Sequence, residues 1–226
     1  MLRDLTKAFD TPDICIREEN DGFTLRSERF RELTSHEEVR DHVAKILPAL
    51  NGATKLVLGF NTPVTIGSIA KIRDDGTRHT YVFARLAVAP VTVMVDVKIE
   101  RADGTTEEFH QAEPVVAWLK LSKRDAHVAW ALRLIWDDFK TYPGLYKIYE
   151  AIEADVGSIP GKGWCTNTEL KRFKRTANSP GALGVRARHG AMGSPPPDPM
   201  SLSSAKSLIR RLLNEWFKMK RAQYGL

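Results

Sequence analysis

Two hydrophobic periods divide the chain. Between Ala53 and Glu108 apolar residues alternate with polar ones or form short runs, at Lys55-Leu56-Val57-Leu58-Gly59-Phe60, Val64 to Ile72, Thr80 to Val88 and Thr92 to Ile99. A period of two rich in β-branched residues predicts strands, and Asp74-Asp75-Gly76, Pro90 and Ala102-Asp103-Gly104-Thr105 supply the breaks between them. Four strands with short connections predict an antiparallel meander. Ahead of them, Asp13 to Arg17 and Phe23 to Arg26 alternate around Asn20-Asp21-Gly22, the pattern of a hairpin. Ser35 to Leu50 repeats instead at helical spacing. Val39, Val43, Ile46, Leu47 and Leu50 form one stripe behind a Ser35/Glu38 capping box, and Asn51-Gly52 is the expected stop.

After Glu113-Pro114 the helical period takes over. Val115 to Leu121 predicts a short helix or turn, and Ser122 with Asp125 reads as the capping pair of a helix running to Phe139. Ala126, Ala129, Trp130, Leu132, Ile135 and Trp136 leave that helix little polar face, which predicts a central position. Pro143-Gly144 opens the next helix, with Leu145, Ile148, Tyr149 and Ile152 on one side and Gly157 at its end. Thr166 and Glu169 fit a capping box for a basic helix that turns Leu170 and Phe173 inward. A stiff Pro195-Pro196-Pro197-Asp198-Pro199 arm precedes a long helix capped by Ser201. The fold class expected is α+β: an antiparallel β-sheet module with one helix over residues 1–112, then a helical bundle over 113–226.

Composition narrows the class. With 42% hydrophobic residues in 226, the chain can bury an ordinary core. No apolar run has the length of a signal peptide or a membrane span, so a soluble, cytoplasmic protein is expected. Cys15 and Cys165 lie far apart without metal-ligand spacing, and neither a metal nor a cofactor is expected.

Charge changes the picture more. Of the 34 lysines and arginines, 13 lie between Lys162 and Leu226, against three acids, a net of +10; the other 161 residues then carry −4 of the +6 total. Such segregation fits a polyanion or an acidic partner facing the late part of the chain, and equally a solvated helical surface.

The stretch Glu169 to Gly190, ELKRFKRTANSPGALGVRARHG, concentrates that charge around one imidazole and a glycine-rich backbone. Arg186, Arg188 and His189 are the candidate catalytic group, and Lys171, Arg172, Lys174, Arg175 and Asn178 the candidate nucleic-acid contacts. A histidine can take the proton of a ribose 2′-hydroxyl or return one to the leaving oxygen. Arginine can stabilise charge gathering on phosphorus, and RNA brings its own nucleophile, so the chemistry needs no metal. The same residues can hold a phosphate without cutting it. They can also be pinned by ion pairs to Glu150 or Glu153 and serve the bundle alone.

Residues 113–226 resemble the HEPN-like domains, small helical bundles that include metal-independent ribonucleases and inactive relatives of toxin–antitoxin and antiphage systems. An Arg and a polar residue, often Asn, followed by His, carry the likeness. Asn178 and His189 match the polar and histidine elements, and Arg175 or Arg186 the arginine. The spacing departs from the family's half-dozen residues: Arg175 lies 14 positions before His189, Arg186 three before it, and neither directly precedes Asn178. The resemblance implies an RNA partner and a site completed in a homodimer.

Overall fold

The computed structural model describes residues 6, 9–11, 14–19, 22–59, 62–72, 75, 77–82, 97–100, 106–109, 113–190 and 195–226. The fold is α+β, with all described strands and one long helix before residue 110, and helices without strands from Glu113 onward among the described residues. Two compact units divide it, Met1–Ala117 and Trp118–Leu226.

In the first unit, β1 (Asp10–Thr11), β2 (Ile14–Glu19) and β3 (Gly22–Arg26) form a three-stranded antiparallel sheet. Glu19 pairs with Gly22, so the expected hairpin is present. Ile14 and Ile16 are buried, as the alternation requires. Helix α1 (His36–Leu58) starts at the expected capping box: Ser35 Oγ accepts from the Glu38 amide, while the Glu38 carboxylate accepts from that of Ser35.

Its end corrects the sequence reading. Asn51-Gly52 does not stop the helix, and Lys55 to Leu58 form its last turn rather than a strand. The Asn51 carboxamide turns away from its own helix, donating to the Val64 carbonyl (3.1 Å) and accepting from the Val64 amide (2.8 Å). Asn51 thus tethers the returning chain instead of breaking the helix. The stop falls at Gly59, whose φ of 72° is open to glycine at little cost.

The single meander is also replaced among the described residues. There, β4 (Ser68–Ile72) pairs only with β5 (Arg78–Val82), and β6 (Val97–Glu100) only with β7 (Thr106–Phe109), in two separate hairpins. Phe60, residues 83–88 and 92–96 of the expected strands, and the turn at 102–105, lie outside the described residues.

Helix α2 (Glu113–Arg124) leads into the second unit. Ser122 does not cap the helix that follows; its hydroxyl donates to the Leu119 carbonyl within α2. Asp125 alone caps α3 (Ala126–Asp138), accepting from the amides of His127 (2.9 Å) and Val128 (3.1 Å). Trp130, expected inside, is 54% exposed: Val128, Ala131, Leu132 and Ile135 take the inner face of α3 and leave Trp130 on the other side. The central helix is the next one, α4 (Tyr142–Val156), which packs against α3 and against α5 (Asn167–Ala177) and the long α7 (Leu202–Tyr224), with the one-turn α6 (Pro180–Leu183) following α5. The corner between α3 and α4 demands glycine at position 144, where a Cβ would lie 1.9 Å from the Asp138 carbonyl oxygen. Leu145, Ile148, Tyr149 and Ile152 of α4 meet Phe173 and the Leu208, Ile209, Leu212 and Trp216 stripe in one core.

Candidate anion-binding site

Helix α5 sorts its charges by face. Thr166 Oγ accepts the Glu169 amide at the N-terminus, but the Glu169 carboxylate bonds Arg211, so the expected capping box is only half formed. Leu170, Phe173, Thr176 and Ala177 are buried at helical spacing, which leaves Lys171 and Arg175, one turn apart, in solvent. Arg172 and Lys174 flank the core stripe and are occupied. Arg172 donates to the Asp198 carboxylate (2.7 Å) and to the carbonyls of Asp198 and Pro199. Lys174 donates to Tyr149 Oη (2.8 Å) and lies 4.0 Å from Glu153. Burial, and then the Glu153 carboxylate, push the Tyr149 phenol far above its ordinary range, so it stays protonated.

Beyond α5 the chain makes a return. Asn178 ends the helix and Ser179 begins α6; Asn178 Oδ1 and Ser179 Oγ are buried with no hydrogen-bond partner among the described residues. Gly184 takes a φ of 59° and sends Val185 and Arg186 outward, both exposed. Then the Arg188 amide donates to the Ala177 carbonyl (2.8 Å), bringing the chain back to the end of α5. Twelve residues on, the Met200 amide donates to Thr176 Oγ (2.9 Å), and Tyr142 donates to the Met200 carbonyl. Departure and return are anchored on neighbouring residues, the layout of an Ω-loop.

Arg188 has three side-chain partners. Its guanidinium lies 4.3 Å from the centre of the Tyr146 ring; Nη2 donates to Glu150 Oε1 (2.8 Å), and Nη1 meets His189 Nε2 at 3.2 Å. That last contact requires an imidazole carrying its proton on Nδ1, with Nε2 as the acceptor. Of the three candidate catalytic residues, therefore, Arg188 and His189 are brought together. Arg186 shares no hydrogen bond or ion pair with either. Of the candidate contacts, Lys171 and Arg175 are exposed without a carboxylate partner among the described residues, Arg172 and Lys174 are engaged, and Asn178 closes a helix. Arg188 is pinned to Glu150, as one of the three readings of the sequence requires.

The bookkeeping of acids is short. The three acids after Lys162 are all spent, Glu169 on Arg211, Asp198 on Arg172 and Glu215 on Lys218. Earlier acids serve Lys174, Arg188 and Lys220. Lys171, Arg175 and Arg186 are left with none among the described residues.

A second polar cluster escaped the sequence reading. Lys220, 3% exposed, donates to Asp125 Oδ2 (2.7 Å) and Asp155 (2.8 Å). Trp216 Nε1 donates to Asp155 (2.7 Å), Tyr224 Oη to Asp125 (3.2 Å), and His127 Nε2 lies 3.9 Å from Asp155. Burial works against both charges, yet the hydrogen bonds prevail: Lys220 is raised above its ordinary value and Asp125 lowered. An ammonium stabilised in this way is no nucleophile. The available signal was spacing, since Lys220 falls seven residues after Leu213 and four after Trp216 on the buried stripe of α7. Among the described residues no helix is long and apolar enough to cross a membrane, and no three His, Cys, Asp or Glu side chains are placed to share a metal ion. Compared with known proteins, the chain matches no family model, no curated protein and no solved structure.

Proposed function

We propose that the protein binds RNA through the exposed side of α5 and the loop that returns to its end. The observation that carries this reading is the set Lys171, Arg175, Arg186 and His189, all exposed, all without a carboxylate partner among the described residues, and all on α5 or that loop. Unpaired cations beside a polyanion release its counterions, so affinity falls with salt in proportion to the phosphates touched. Fluorescence anisotropy with a labelled 20-nucleotide RNA across a salt series is the test. K171A/R175A/R186A should flatten the log–log slope by about 2, at roughly 0.7 per single-strand phosphate contact. An unchanged slope and affinity would remove the reading.

One contact favours a catalytic extension, which is metal-independent cleavage of the bound strand. Arg188 donates to His189 Nε2, so a guanidinium sits beside the one ring nitrogen that can act as a base. In this reading the 2′-hydroxyl displaces Arg188 from His189 Nε2 and gives it its proton. The freed oxygen attacks the adjacent phosphorus, the bond to the 5′-oxygen breaks, and the imidazolium gives that oxygen a proton as it leaves. The products are a 2′,3′-cyclic phosphate and a 5′-hydroxyl end, with arginine stabilising the charge on phosphorus. H189A should abolish cleavage while RNA affinity changes less than threefold, roughly the effect of losing one weak contact. Persistence of cleavage in H189A would assign it to something else.

A further inference from the structure

Among the described residues Glu150 is the only carboxylate on Arg188, yet Arg188 does not need it to keep its place. The Arg188 amide is tied to the Ala177 carbonyl and its guanidinium rests on the Tyr146 ring, a ring that itself stacks on Phe173 at 5.8 Å. The pair is open to water, with the arginine and glutamate side chains 31% and 43% exposed. Ion pairs of this exposure contribute little to stability. A guanidinium prefers an oxyanion with two oxygens in its plane, and a phosphate diester offers that geometry as a carboxylate does.

Resting on the RNA-binding reading, we infer that Glu150 occupies a phosphate site: Arg188, with His189 at its edge, is an anion site that the chain's own carboxylate fills until a phosphodiester displaces it. Glu150 acts as an internal competitor there, which lowers affinity and leaves the guanidinium oriented. Another exposed pair of this region provides the contrast. Arg172 holds the Asp198 carboxylate but also the carbonyls of Asp198 and Pro199. Removing the Asp198 charge leaves that guanidinium still engaged by backbone oxygens. Arg188 has no carbonyl on its guanidinium among the described residues, so removing the Glu150 charge frees it.

Glu150→Gln and Asp198→Asn raise the net charge by the same amount and keep side-chain shape, so comparing them separates a site from a general charge effect. The probe is the labelled 20-nucleotide uridine RNA, titrated from about 50 to 200 mM salt, where binding is strongly charge-dependent. E150Q is expected to bind several-fold tighter than wild type, with a slope steeper by about 0.7, one more phosphate contact. D198N is expected to stay within twofold of wild type. Adding R188A to E150Q should remove the gain, and both single variants should melt within a few degrees of wild type. Equal gains for E150Q and D198N, or no gain for E150Q while wild type binds, overturn the inference and leave the RNA reading standing. Binding by E150Q alone supports it. Failure of wild type and E150Q alike to bind removes both.

Discussion

Helix α7 carries Lys220 almost wholly out of water between Asp125 and Asp155, whereas α5 leaves Lys171 and Arg175 exposed to it. Both helices are basic, and both belong to the same charge-rich third of the chain. The difference lies in which neighbours each face meets. The stripe of α7 that continues Leu213 and Trp216 meets the residue that caps α3 and the last turn of α4, an aspartate at each. The outer side of α5 meets no acid among the described residues. Excess charge in a sequence therefore divides into cations that hold the fold and cations left over for a ligand, and burial decides the division.

The comparison breaks first at Lys220. K220A strands the buried Asp125 carboxylate and the partly buried one of Asp155, and should cost about 3 to 5 kcal/mol in urea unfolding. K171A, by contrast, should stay within about 0.5 kcal/mol, as for surface positions generally. Equal losses would mean that Lys220 is not a fold residue. Acid and alkali sharpen the same point. Asp125, whose pKa is lowered, adds stability above the ordinary carboxylate value and loses it as the pH falls through its own lower value. Lys220, whose pKa is raised, adds stability below the ordinary ammonium value and loses it as the pH rises through its own higher value. The melting temperature should thus fall at both extremes, and K220A should lose the alkaline limb. Smaller still is R188A, expected to cost about 1 kcal/mol for one exposed ion pair and one cation–π contact. R186A should cost less than R188A, and the difference measures how far Arg188 belongs to the scaffold.

Much of the helical part was legible. Ser35, Thr166 and Ser201 cap helices where a hydroxyl three residues before a free amide said they would. What misled was local chemistry with a distant partner. Asn51 reads as a helix stop until Val64 is seen to take both ends of its carboxamide. Leu56-Val57-Leu58 suits a strand or a buried helical turn equally, and periodicity cannot choose over so short a run. Ser122 and Asp125 look like cooperating caps, but only the aspartate reaches the free amides. At the site, the basic helix and the Arg-His loop were visible, and one of the three readings of that loop had Glu150 or Glu153 as its partner. The Lys220 cluster was not visible, because a lysine on an apolar stripe ordinarily carries its ammonium to the surface, and its two aspartates lie 95 and 65 residues away.

The indole hydrogen of Trp216 ends on Asp155, one of the two carboxylates that hold Lys220. That proton gives the protein a built-in gauge. Its resonance in a nitrogen–hydrogen correlation spectrum stands apart from the amides, and it would shift when the lysine is withdrawn, without label or graft. Loosening of the interior and occupation of the outer face could then be followed in one tube, the first by this single peak and the second by the ring signals of His189.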